Sequence, residues 1–213
     1  MRALALRRFD GHILGAAFAS GDRFVVGRWP VSPLGGVADV MWARAGGDRV
    51  LLGERSELLE FVGSHYRFDR SEHTAVRVDL VGGRMIRVEA GPVRMELELR
   101  PPGWASSLIR LRPGSLRERP SWIAVEDAEL RPLVAPWIGA PGVRTRGVTA
   151  EGVREWYAIH DLRPIVVSRA WVDGEDLGPT VRADPAGFGF SEFPERPALV
   201  RITALFEDAG ARL

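Results

Sequence analysis

The stretch REWYAIHD at 154–161 gathers two carboxylates, a phenol and an imidazole within eight residues. Glu155, Tyr157, His160 and Asp161 are side chains from which acid–base catalysis without a cofactor is built, because such groups exchange protons at accessible pH. Which of them can cooperate depends on the backbone. As a strand, Arg154, Trp156, Ala158 and His160 share one face and Glu155, Tyr157, Ile159 and Asp161 the other, so His160 and Asp161 point apart. As a helix, Val153, Trp156, Tyr157 and His160 form one stripe at i, i+3, i+4, i+7. The aromatic content favours the strand. A plainer reading of the same strand is one core face and one solvated face.

Other stretches carry recognition chemistry. LIRLRPGSLRERP holds Arg110, Arg112, Arg117 and Arg119 between Trp104 and Trp122, and GVRTRG adds Arg144 and Arg146 beside glycines. Arginine forks match carboxylates and phosphates, and tryptophan flanks suit peripheral membrane contact through 104–122. The plainer reading is a loop whose long stems cover apolar surface. GFGFSEFP places Phe188, Phe190 and Phe193 among glycines that permit close approach, which suits a cavity wall, although core packing is the commoner use of Phe. In HYRFDRSEH, His65, Asp69, Glu72 and His73 are interrupted by Arg67 and Arg70, and no second histidine pair exists. A solvated turn is expected there and no metal site. No H-E-x-x-H, calcium loop or G-x-S-x-G elbow occurs.

Composition excludes more than it assigns. Lys, Asn, Gln and Cys are absent, so all 29 basic residues are Arg, a pattern that codon bias in a GC-rich genome produces. Without Lys there is no Schiff-base chemistry, no pyridoxal-phosphate lysine and no Walker-type lysine. Without Cys there is no thiol nucleophile, disulfide, thiolate zinc site or iron–sulfur cluster. No cofactor is expected. A net charge of +1 supplies no field for nucleic acid, so none is expected as a partner. No run is long enough to span a bilayer, and MRALALRRFDGH lacks the centre of a secretory signal, giving a cytoplasmic expectation.

The elements that must position these residues read mainly as strands. In 74–100, Val76, Val78 and Leu80, then Ile86 and Val88, then Val93, Met95, Leu97 and Leu99 alternate with charged residues around Gly82-Gly83 and Gly91-Pro92. That pattern predicts a three-strand antiparallel meander. Strands are also predicted at 23–29, 37–44, 48–53 and 198–206, with a hairpin through Asp173-Gly174. A helix is predicted at 57–63, with Ser56 as N-cap and Gly63 as stop. Residues 101–147 read as a long connection with one or two short helices.

VVGRWPVSPLGGVADVMW, GVRTRG, REWYAIHDLRPI, DGEDLGP and GFGFSEFPERPALVRIT together resemble an uncharacterised conserved family of bacterial proteins from GC-rich genomes. The resemblance covers most of the chain and implies a bacterial protein, with no catalytic role for any residue. The expected fold is therefore one mostly-β domain over 1–213, two antiparallel sheets packed as a sandwich or partly closed barrel, with one short helix. Two functions are consistent with it. One is binding of a small apolar or anionic molecule in a cavity walled by Trp42, Trp156, Phe188 and Phe190, with Arg144, Arg146 or Arg154 as polar anchor. The other is a cofactor-independent enzyme, isomerase- or hydrolase-like, using Glu155, Tyr157, His160 and Asp161.

Overall fold

The computed structural model describes residues 6–114, 116–136, 139–149 and 151–207. The chain opens with four strands, β1 (Leu6–Phe18), β2 (Arg23–Val31), β3 (Val37–Ala43) and β4 (Arg49–Gly53), then α1 (Ser56–His65) and β5 (Arg70–His73). The meander follows as β6 (Val76–Val81), β7 (Met85–Ala90) and β8 (Val93–Leu99). Next comes a helical segment: α2 (Trp104–Arg110), α3 (Pro120–Val125), a π-helical turn (Glu126–Leu130) and α4 (Arg131–Val134). The rest is β9 (Arg146–Val148), β10 (Arg154–Val172), the short β11 (Glu175–Asp176) and β12 (Thr180–Val181), and β13 (Ala198–Glu207).

The meander forms as its alternation dictates. Leu97 pairs with Ile86 and Met95 with Val88, and all four side chains are almost fully buried. Gly82, Gly83, Gly91 and Gly174 take positive φ at the turns, where a side chain would be strained. Asp173 shares that conformation in the β10–β11 hairpin.

The structure corrects the expectation of two sheets. The strands form one continuous sheet in the order β5-β4-β3-β2-β1-β13-β10-β8-β7-β6, antiparallel except for β4–β5. The reason is the length of β10. Its first half pairs with β13 and its second half with β8, so one strand carries both halves of the sheet. The sheet curls into a half-barrel, and the inner face of β1–β4 (Leu14, Phe24, Val26, Val40) packs onto that of β7 and β8 (Val88, Met95, Leu97).

Two further corrections concern helices. Ser56 is the first helical residue after Arg55, and its hydroxyl bonds the His73 ring at 2.9 Å instead of capping the backbone. Gly63 does not stop α1, because the buried stripe Leu58, Leu59, Val62 and His65 continues past it; packing overrides the local propensity. α1 covers the outer face of the sheet. The helical segment covers the inner face, where Ile123 of α3 packs on Trp156, Ala158 and Leu205. No helix among the described residues is long and apolar enough to cross a membrane.

Candidate functional site

REWYAIHD lies in β10, so the strand alternative holds, with one exception that creates the site. Trp156 and Ala158 face the helical segment, and Glu155 and Tyr157 face outwards towards Tyr66. At His160 the pairing slips: Ile159 opposes Ile202, and Asp161, not His160, opposes Arg201. His160 is the extra residue of a β-bulge, which re-aims side chains locally. His160 and Asp161 consequently do not point apart. His160 reaches Thr203, while Asp161 is held by Ser106 and Arg110 of α2.

A second irregularity lies at the same level of the sheet. Asp10 of β1 pairs with Val31 and His12 with Arg28, so Trp29 and Pro30 of β2 oppose Gly11 alone. A Cβ at Gly11 would overlap the Arg28 carbonyl oxygen. The two bulges flank β13, and between them the inner face presents Asp10, His12, Arg201, Thr203 and His160. Arg8, Arg117 and Glu118 close the edges of the resulting open cleft, whose volume is about 400 Å³.

Its hydrogen bonds form a chain. Arg8 bonds Asp10 at 2.7 Å and Glu118 at 2.5 Å. Thr203 Oγ1 donates to Asp10 Oδ1 at 2.6 Å, and His160 Nε2 lies 2.8 Å from Thr203 Oγ1 and 3.6 Å from Glu118 Oε1. Burial disfavours ionised Asp10, but the bonds from Arg8 and Thr203 outweigh it and hold its carboxyl below the ordinary range. Burial, together with Arg201, lowers His160. Burial, then Arg28 and Arg201, lowers His12. Both imidazoles are therefore neutral at pH 7. The Arg201 guanidinium forms no hydrogen bond or ion pair among the described residues, and Arg117 Nε is buried without a partner.

The other expected site residues do not converge. Trp42 stacks on Phe24 in the inner core and donates to Asp22. Trp156 is buried under α3. Arg144 is taken up by Asp127 at 3.0 Å, so it is not a free anchor, and Arg154 pairs with Glu207 at 2.6 Å. Arg146 is exposed on β9. Of the segment 104–122, Trp104, Leu108 and Leu111 are exposed, whereas the Trp122 indole is bonded to Glu126. His65, Asp69, Glu72 and His73 each have their own partner: Phe61 O, Arg49, Arg70 and Ser56.

Of the expected cavity walls, Phe188 adjoins a chamber on the outer face. Phe190 stacks on Tyr157 over Gly147, and the Phe193 ring fills the space above Gly15. What remains is about 110 Å³ beside Ile13, Met41, Tyr66 and Phe188, and a neighbouring void of about 40 Å³ at Asp39. Those volumes fall below the few hundred Å³ usual for a ligand site, whereas the cleft lies within that range. Tyr66 donates to Glu155 Oε1 at 2.5 Å and contacts the Tyr157 hydroxyl at 2.7 Å. Burial pushes Glu155 up to about 7 and Asp39 up to about 6.

Sequence reasoning found His160 but missed Asp10, His12, Arg201 and Thr203, its companions. The only local signal is glycine inside the strand FDGHIL, which marks a bulge. No family model, no curated protein and no solved structure matches the chain, so the functional reading rests on this geometry.

Proposed function

We propose that the protein binds a small organic anion, a carboxylate, in the inner-face cleft. The observation that carries this reading is the guanidinium of Arg201, which lines the cleft and has no partner among the described residues. Charge count supports it. Three arginines (8, 117, 201) face two carboxylates (Asp10, Glu118), leaving one positive charge. Arg8 is occupied by both acids, so the surplus belongs to Arg201 and Arg117. A guanidinium offers a carboxylate two parallel hydrogen bonds, and such charge-assisted bonds are the strong ones. The outer void is lined by the raised carboxyl of Asp39 and is the wrong environment for an anion.

Titration calorimetry with 2-oxobutanoate and oxalate at low ionic strength tests the assignment. Wild type binds, and Arg201→Gln weakens binding by roughly 1.5–3 kcal/mol, the range for a lost charged hydrogen bond. Arg154→Gln, in the exposed pair with Glu207, leaves the affinity unchanged. Equal affinities for wild type and Arg201→Gln would remove the cleft from consideration.

A further inference from the structure

We propose that His160 is a catalytic base in this cleft, taking a proton from the carbon next to a carbonyl in a small oxo acid. The proposal rests on the anion-binding reading above, and goes beyond binding to a reaction class.

The protons of this chain are fixed by their acceptors. Asp10 is ionised and can only accept. The Thr203 hydroxyl has one hydrogen, and the 2.6 Å bond gives it to Asp10. Thr203 Oγ1 must then accept from His160 Nε2 at 2.8 Å. A neutral imidazole has one N–H, now fixed on Nε2, so Nδ1 carries the lone pair. Nδ1 has no partner among the described residues. The chain Asp10–Thr203–His160 thus orients a base as a carboxylate orients histidine in other proton-transfer sites, with a hydroxyl interposed. Glu118 at 3.6 Å stabilises the imidazolium once it forms.

The anchor stands at a useful distance. Arg201 and Thr203 are two residues apart on one strand face, about 7 Å along the sheet. A carboxylate on Arg201 therefore brings the carbons two or three bonds away towards the imidazole bound to Thr203. In the step, the C–H bond breaks and its proton goes to Nδ1. The C–H electron pair forms a carbon–carbon double bond, and the carbonyl π pair moves to oxygen, giving an enolate. Arg117, which also lines the cleft, is the nearby cation for that oxygen. Return of the proton to the same carbon restores the oxo acid, so the step is exchange or inversion at that carbon. No oxidant, reductant or further reactant is needed.

The probe is 2-oxobutanoate in D2O, with loss of its C3 proton signal followed by NMR against a protein-free control. Wild type accelerates exchange. His160→Gln loses roughly a hundredfold or more of that acceleration, the usual share of a general base, while calorimetric binding of 2-oxobutanoate is retained. Thr203→Val, at the positioning residue, shifts the pH profile of exchange, and Thr203→Ser restores it. Circular dichroism checks that each variant folds, and the Thr203 pair carries the test if His160→Gln does not. Binding without acceleration by wild type, or equal exchange in wild type and His160→Gln, would overturn the base and leave the anion site standing. Absence of binding would overturn both.

Discussion

Glu155 shows how one residue's environment sets its chemistry. Its side chain is wholly buried, Oε1 accepts from Tyr66, and Oε2 has no partner among the described residues. Leaving a charge there is costly, so burial drives the carboxyl from 4.5 up to about 7 despite the tyrosine bonds. The unfolded chain ionises this group near 4.5 and the folded chain near 7. Between those values only the folded state keeps the proton, so stability falls as pH rises, and the fall is complete above about 7. The separation is worth roughly 3 kcal/mol. Glu155→Gln removes the titration, and urea melts at pH 5 and pH 8 are expected to show a smaller loss in the variant than in wild type. Parallel losses would mean that Glu155 is ionised in the fold. At this scale the sequence reveals residue types but not their partners. His160 is conspicuous by its chemistry, whereas Thr203 and Asp10 are ordinary residues, 193 positions apart in sequence and joined by one 2.6 Å bond.

Among the elements, legibility follows how strictly one face is buried. β7 and β8 alternate buried and exposed positions, and both were readable as strands with register. Leu97 is fully buried, whereas Glu96 faces solvent and Arg94. Leu97→Ala is expected to cost about 2–5 kcal/mol in urea melts and Glu96→Ala under about 1. Comparable losses would contradict the register. β1 was unreadable for the converse reason. Residues 14–18 are buried on both faces, which erases the period of two, and Gly11 interrupts the rest. The helical segment hid itself differently. Glu126 and Asp127 look like solvated acids, yet both are buried: Glu126 bonds Arg112 and Trp122, and Asp127 bonds Arg144 and Thr145. Asp127 thereby ties the helical segment to the loop ahead of β9, and Arg112, which bonds both Glu126 and the Ile159 carbonyl, ties it to β10. Composition alone cannot distinguish such acids from surface ones.

For the molecule as a whole, β10 decides how the parts depend on one another. Residues 155–164 pair with β13, and residues 165–172 continue directly into pairing with β8. The inner core joins the same two halves through side chains, since Leu14, Val26 and Val40 share one cluster with Val88, Met95 and Leu97. Separating the halves would break the sheet at β10 and expose that cluster on both sides. At roughly 25 cal/mol per Å² of apolar surface, several fully buried large side chains make this a cost of many kcal/mol, comparable with the whole stability of a domain. Unfolding is therefore expected to be one cooperative transition. The tryptophans allow the test, because Trp42 lies on β3 in one half and Trp171 on β10 beside β8 in the other. Replacing all but one of them with Phe, in two versions, gives a fluorescent reporter for each half. Urea midpoints from the two reporters and from far-ultraviolet dichroism should coincide within each protein. A reporter at Trp42 that melts apart from the dichroism, with Trp171 following a different midpoint, would mean that β10 joins two independently folding sheets.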